Sequence, residues 1–143
     1  MWARIYSKLY KNVSAKEIWK TWADITNWPK WHDDLDYCKF DNNFKIGNQF
    51  ILKPKGIPAV KITLTDIQEG KEFTDCTNFF GAKMYNTHIV EEKGNDTLIT
   101  NKLVVTGPLR WIWIKLVAKN VADTLPDEIN ALVKLAKSRR PQS

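Results

Sequence analysis

The sequence predicts an α+β domain in which a seven-stranded antiparallel sheet curves around a long C-terminal helix, with two short helices after the first strand. Two patterns predict this architecture. Short runs of alternating apolar and polar residues, separated by turn residues, fill the middle of the chain. An apolar stripe at helical spacing follows them. The length of 143 residues suits one domain, which we place at residues 1–138, followed by a basic tail at 139–143.

The N-terminal part contains the first strand and the short helices. Residues Ile5 to Leu9 are predicted to form the strand. Ser14 and Glu17 have the spacing of a capping box, which marks a helix start. The apolar residues of that helix recur at helical spacing and are Ile18, Trp19, Trp22 and Ala23. Pro29 ends the helical region, because the residue before a proline disfavours helical backbone.

Six further strands follow, and the turns between them predict hairpins. The strands are expected at Tyr37–Phe40, Phe50–Lys53, Val60–Thr65, Glu72–Phe80, Lys83–Glu91 and Thr97–Thr106. Turns are expected at Glu69-Gly70, at Gly81-Ala82 and around Asn95-Asp96. The first turn pairs Leu64 with Asp75 and Ile62 with Thr77. The second turn pairs Phe79 with Met84, Thr77 with Asn86, Asp75 with His88 and Phe73 with Val90. The third turn pairs Val90 with Ile99, His88 with Asn101 and Asn86 with Leu103.

The last element is a long helix that begins after Gly107-Pro108 and runs to about Ser138. Its apolar stripe comprises Ile114, Val117, Val121, Leu125, Ile129, Leu132 and Ala136. Pro126 removes a backbone donor inside this helix, so we expect the helix to bend or restart there, with Asp123 or Thr124 as the cap.

Several classes of protein are disfavoured by the composition. The longest apolar stretch, Leu109 to Val117, is too short to span a bilayer and contains two cations, and no signal peptide opens the chain. We therefore expect a soluble, cytoplasmic protein. Cys38 and Cys76 form no CxxC motif and are expected to be buried thiols rather than a disulfide. His32 and His88 match no zinc or catalytic-triad motif, so no metal and no cofactor is expected.

The net charge of +6 invites a nucleic-acid interpretation, which the charge pattern disfavours. Most lysines are scattered singly along predicted strands, whereas nucleic-acid proteins cluster their cations on one element. We therefore expect no nucleic-acid partner. His32, Asp33, Asp34 and Asp36 resemble a cation site, but solvated acids on a turn are the simpler interpretation, because the sequence supplies no further ligands.

The predicted register places polar side chains on the apolar face of the sheet. Asp75, His88 and Asn101 come side by side on that face, and Thr77 and Asn86 occupy the next row. Unpaired buried polar groups are costly, so either they line a ligand cavity of several hundred Å3 or they satisfy one another as a structural network. The candidate ligand-binding residues are Asp75, His88, Asn101, Thr77, Asn86, Leu64, Phe73, Phe79, Met84, Leu103, Val105, Trp28 and Trp31. For Trp28 and Trp31, a packing role between helix and sheet is an equal alternative.

The order of elements resembles the helix-grip fold of the START, pollen-allergen and polyketide-cyclase superfamily, called SRPBCC. The opening segment carries the resemblance most specifically: Val13-Ser14-Ala15-Lys16-Glu17-Ile18-Trp19, Ala23-Asp24-Ile25, Trp28-Pro29 and Trp31-His32 are similar to the polyketide cyclase/dehydrase-like branch. Gly47 at a strand start, the GNDTLIT hairpin and Gly107-Pro108-Leu109 extend it along the chain. Asp33, where the branch often has proline, and the Trp111-Ile112-Trp113-Ile114 run depart from the pattern.

The resemblance implies one of two functions in an internal cavity. One is the binding or transport of a small hydrophobic molecule, such as a lipid, isoprenoid or aromatic polyketide. The other is a cyclase or dehydratase activity, in which Asp75 and His88 are the candidate proton-transfer residues. A third possibility is an interaction module. Trp111, Ile112 and Trp113 cannot all face the core from one helical turn, so a transient membrane or protein contact is expected there. The protein is expected to be a monomer or a homodimer.

Overall fold

The computed structural model describes residues 1–138, and its architecture confirms the predicted fold. The seven strands are β1 (Trp2–Tyr10), β2 (Leu35–Lys39), β3 (Gln49–Pro54), β4 (Val60–Gln68), β5 (Glu72–Phe79), β6 (Ala82–Lys93) and β7 (Asp96–Thr106). Helix α1 (Ala15–Ala23) and a 3-10 helix (Ile25–Lys30) follow β1. The C-terminal helix comprises α2 (Arg110–Trp113), a π-helical turn (Ile114–Ala118) and α3 (Lys119–Ser138). The predicted tail lies outside the described residues.

All neighbouring strands are antiparallel, in the order β1-β7-β6-β5-β4-β3-β2. Helix α1 begins as predicted, because the Ser14 hydroxyl accepts a hydrogen bond from the Glu17 N–H at 3.1 Å. Helices α1 and α3 bury apolar side chains with the inner face of the sheet. The hydrophobic effect of this burial drives the sheet and the helices together.

Two of the three predicted hairpin registers are correct. His88 pairs with Asn101 across β6 and β7, and Leu64 pairs with Asp75 across β4 and β5. At the β4–β5 hairpin the turn is one residue longer than the predicted Glu69-Gly70 turn. Gln68 pairs with Glu72 instead of Lys71, and a bulge between Leu64 and Asp66 restores the expected pairs.

The predicted register between β5 and β6 is wrong by two residues. The turn is Phe80-Gly81, because Phe79 pairs with Ala82, so Asp75 pairs with Asn86 rather than with His88. Phe73 pairs with His88 instead of Val90. Thr77 pairs with Met84, whereas the prediction paired Thr77 with Asn86 and Met84 with Phe79. Gly81 takes the second central position of the turn with φ 73°, a conformation that suits glycine. A shift of two residues keeps every side chain on its predicted face.

Of the two outcomes predicted at Pro126, a helix restart is wrong, and a bend stays a prediction. Helix α3 continues from Lys119 to Ser138, with Pro126 inside it and exposed to solvent. The hydroxyl of Thr124 donates to the Val121 carbonyl at 3.0 Å in the same turn. The irregularity lies earlier, in the π-helical turn Ile114–Ala118. Within residues 1–138, no helix is both long enough and apolar enough to cross a bilayer.

Candidate functional site

The inner face of the sheet carries two separate apolar clusters with polar side chains between them. The first cluster includes Phe73, Val90 and Ile99 with residues of α1 and α3, and the second includes Leu103 and Val105 with Ala118 of the π-helical turn. The side chains between them on β5, β6 and β7, which we call the polar belt, are Asp75, Thr77, Asn86 and Asn101. The polar side chains therefore cross the three strands diagonally, because Asp75 lies opposite Asn86 whereas Asn101 lies opposite His88.

Asp75 is the most unusual member of the polar belt. The residue is buried, only 6% exposed, and none of the hydrogen bonds among residues 1–138 involves its carboxyl. Burial, helped by the negative charge of Glu128, raises the pKa of Asp75 to about 8. The carboxyl is therefore largely protonated at neutral pH and can donate a hydrogen bond.

Asn101 is the second member with unused hydrogen-bonding capacity. Its Nδ2 donates to Oδ1 of Asn86 at 3.2 Å, but its buried Oδ1 has no partner among the described residues. Asn86 of β6 lies opposite Asp75 of β5. Within residues 1–138, a donor without a partner, the Asp75 carboxyl, and an acceptor without a partner, Asn101 Oδ1 on β7, therefore lie on either side of β6. A hydroxyl group, which both donates and accepts, has the complementary chemistry.

His88 lies on the inner face as predicted but is packed among aromatic rings. Its ring stacks on Phe73 at 4.1 Å between centroids, and Trp22 and Trp28 lie 5.4 and 6.5 Å away. Burial lowers the pKa of His88 to about 3, against the opposing effect of backbone hydrogen bonds, so the imidazole is neutral. Its Nδ1 lies 3.4 Å from the Phe73 carbonyl oxygen. Within residues 1–138, no hydrogen bond joins the Asp75 carboxyl to the His88 ring, and the strand pairing predicted for these two residues is not formed.

Glu128 of α3, which the sequence pattern does not single out, also reaches this region. Its Oε2 lies 3.3 Å from Nε2 of His32, and both side chains are largely buried. Burial lowers the pKa of His32, but the hydrogen bond and charge of Glu128, together with the charges of Asp34 and Asp33, outweigh burial, so the pKa is raised. Asp33, Asp34 and Asp36 are exposed, as expected for solvated acids on a turn, whereas the His32 side chain contacts α3. The only sequence signal for Glu128 is a carboxylate one residue before Ile129 of the apolar stripe.

The remaining predicted site residues divide between the two clusters. Leu64, Phe73 and Trp28 belong to the first cluster with Trp31, whereas Leu103, Val105, Phe79 and Met84 belong to the second. Trp28 donates its indole N–H to the Trp22 carbonyl at 2.9 Å and packs against Phe50 at 5.3 Å, which is a structural role. Trp31 is also buried, but its Nε1 has no partner among residues 1–138.

Two clefts open at opposite ends of the sheet. One, of about 730 Å3, lies between α1 and the β4–β5 turn, and Trp19, Glu69 and Val90 contribute to its lining. The other, of about 420 Å3, lies beside the β5–β6 turn, where Phe79 and Gly107 contribute. Neither cleft is lined by the polar belt, so neither is the cavity expected between the sheet and the final helix.

Metal-ligating side chains within residues 1–138 are not grouped into a site. In the described part of the chain, no three His, Cys, Asp or Glu side chains are placed to hold a metal ion. Cys38 and Cys76 are buried free thiols, as predicted. Burial raises the pKa of Cys38 to about 12 and also raises that of Cys76, so neither thiol is activated.

No family model and no curated protein matches the chain. Solved structures do match. A START superfamily protein from Mycobacterium smegmatis has a TM-score of 0.71 at 16% identity, with 93% of this chain and 97% of that chain covered. Norcoclaurine synthase from Thalictrum flavum, in complex with dopamine and hydroxybenzaldehyde, has a TM-score of 0.73 at 11% identity, covering 99% of this chain and 90% of that one.

A third match is the di-domain aromatase/cyclase BexL from the BE-7585A biosynthetic pathway. Its TM-score is 0.72 at 15% identity, with 94% of this chain and 46% of that chain covered. At such low identity these likenesses establish the fold and nothing finer. They confirm, at the level of the fold, the resemblance that the sequence motifs predict.

Proposed function

We propose, from the helix-grip fold that this chain shares with the SRPBCC superfamily, that it binds a small hydrophobic molecule such as a lipid, isoprenoid or aromatic polyketide. The polar end of the ligand would meet the polar belt, and its apolar body would lie along the second cluster. A cytoplasmic location is part of the proposal, and the free thiols suit a reducing compartment.

The observation that carries the proposal is the buried Asn101 Oδ1, which has no hydrogen-bond partner among residues 1–138, on the same belt as the buried Asp75. A buried polar group without a partner costs about 1–3 kcal/mol, so a ligand that satisfies both gains affinity. At neutral pH the pair offers one donor and one acceptor without a net charge. We therefore favour a neutral ligand with a hydroxyl group over a carboxylate or an ammonium ion.

The route for an apolar ligand runs past the second cluster. Phe79, Met84 and Trp113 are only partly buried although they pack in that cluster, so its side chains are less tightly enclosed than those of the first. Ala118 of the π-helical turn contributes only a methyl group to the same cluster. Small side chains and partial exposure leave this end the easier one to open.

A cyclase or dehydratase activity at the same belt is the second candidate. One observation favours it: the pKa of Asp75, about 8, lies near the neutral pH at which a general acid or base works best. His88 is less suited to the role predicted for it, because it is neutral and packed against Phe73. In an enzyme of this kind, Asp75→Asn would abolish turnover while substrate still bound.

Titration with farnesol and with its methyl ether tests the binding proposal. Only the alcohol can donate to Asn101 Oδ1, so Asn101→Leu should weaken farnesol binding by about two- to tenfold and leave the ether unaffected. Asn78→Leu, at an exposed position of β5, is the matched control and should change neither affinity. Circular dichroism checks that both variants fold. The proposal is wrong if the wild-type protein binds neither probe, or if the two variants behave alike.

A further inference from the structure

One end of the molecule exposes three large apolar side chains, which we call the rim. Phe80 is 83% exposed, Trp111 is 66% exposed and Leu116 is 63% exposed. Phe80 forms the tip of the β5–β6 turn, and the other two lie at the start of the final helix. A group of exposed apolar side chains on one rigid end of a soluble fold is a typical interaction surface.

The turn and the helix are held together, so the rim is one surface. The indole N–H of Trp113 donates to the Phe80 carbonyl at 2.8 Å, and its ring stacks on Phe79 at 4.5 Å between centroids. The Leu109 N–H donates to the Gly81 carbonyl at 2.9 Å. A Cβ on Gly81 would lie 2.6 Å from the Leu109 side chain, which shows how closely the two segments approach. Of the two tryptophans in the Trp111-Ile112-Trp113 run, Trp111 is therefore the exposed one, whereas Trp113 packs inward.

The π-helical turn sets which side chains the helix presents to solvent. Ala118 is buried in the second cluster, while Trp111 and Leu116, five residues apart, are both exposed. An i to i+5 spacing matches the wider π-helical turn. Arg110, Lys115 and Lys119 are exposed on the same stretch of helix.

Charge decides what kind of surface the rim fits. From Thr97 to Ala122 the sequence has no acidic residue, and the exposed Lys83 follows the turn that carries Phe80. None of the three helical cations, nor Lys83, forms an ion pair with a described residue. Tryptophan and leucine flanked by unpaired cations are the composition of segments that lie in an anionic lipid interface.

We propose that the rim docks this protein reversibly on an anionic lipid bilayer. Phe80, Trp111 and Leu116 enter the headgroup region, and Arg110, Lys115 and Lys119 contact lipid phosphates and carboxylates. Long cationic side chains can extend to the headgroups while their stems lie along apolar surface. The docking is independent of whether the polar belt binds a ligand, because it uses only exposed side chains.

Co-sedimentation with vesicles tests the docking. The full chain should bind vesicles that contain phosphatidylserine and phosphatidylcholine, and bind phosphatidylcholine alone at least about tenfold more weakly, because each cation near the surface contributes about fivefold. The triple variant Arg110→Gln, Lys115→Gln, Lys119→Gln should lose most of that selectivity. The double variant Trp111→Ala, Leu116→Ala should bind both kinds of vesicle more weakly.

Ile5→Ala is the matched control, since Ile5 is 65% exposed on β1, outside the rim. It should bind like the wild type, and urea unfolding should show that all variants are folded. The proposal is overturned if the wild-type chain ignores phosphatidylserine, or if Ile5→Ala weakens binding as much as the rim variants do. Self-association of the chain through the rim without vesicle binding would overturn it in favour of a protein interface.

Discussion

Replacing Asp75 with asparagine should change how stability depends on pH. Asp75 is buried and its carboxyl forms no hydrogen bond within residues 1–138, so folding favours the neutral form and raises the pKa of the carboxyl. Asparagine has a similar shape and stays neutral at every pH. At acidic pH the two proteins should therefore differ little, and at alkaline pH the variant should be the more stable one.

The size of the effect follows from the two pKa values of Asp75, 3.8 as the ordinary value and about 8 in the folded protein. Between them the folded state binds a proton that the unfolded chain releases. The stabilisation is full below the lower value and is lost as the pH rises through the higher one. Each pH unit amounts to about 1.4 kcal/mol, so from about pH 5 to about pH 8 the wild type should lose on the order of 4 kcal/mol relative to Asp75→Asn.

Urea unfolding of both proteins, followed by tryptophan fluorescence across this pH range, measures the gap. His32 and His88 also titrate, but they are present in both proteins and cancel in the difference. Asp66→Asn, at an exposed position of β4, serves as the control and should follow the wild type. A gap between wild type and Asp75→Asn that stays constant with pH would refute the burial of an unpartnered carboxyl.

Three further outcomes are expected. Gly81→Ala should lower the free energy of unfolding by about 1 kcal/mol more than Gly94→Ala does, because both glycines have positive φ but, of the two, only Gly81 lacks space for a Cβ. Equal losses of unfolding free energy, measured by urea unfolding, would contradict the close packing of Gly81 on Leu109. Cys38 and Cys76 should react with a disulfide reagent only after unfolding, and rapid labelling of the native protein would contradict their burial. Glu128→Gln should lower the pKa of His32, measured by proton NMR, because it removes a charge that raises this pKa against the effect of burial. An unchanged pKa would contradict the ion pair.

The fold was predictable because local signals agree with one another. The Ser14 cap, the alternating strands and the glycine turns each act over a few residues, and together they determine the order of elements. The wrong β5–β6 register has a specific cause. Gly81 can occupy either central position of a two-residue turn, and alternation cannot distinguish registers that differ by two residues.

The site was predictable only on the side that the sheet supplies. Asp75, Asn86 and Asn101 share a face in either register, so their burial follows from the strand pattern. Glu128 could not be assigned, because its contact with His32 depends on how α3 rotates over the sheet. The packing of His88 against Phe73 was missed for a related reason, since it depends on the corrected register.

The side-chain amide signals of asparagine test the proposed ligand site most directly. In a nitrogen-15 NMR titration with farnesol, we expect the side-chain amides of Asn86 and Asn101 to shift, while the exposed Asn78 stays unchanged. Shifts confined instead to the indole of Trp19, which lines the cleft beside α1, would place the ligand elsewhere and contradict binding at the polar belt.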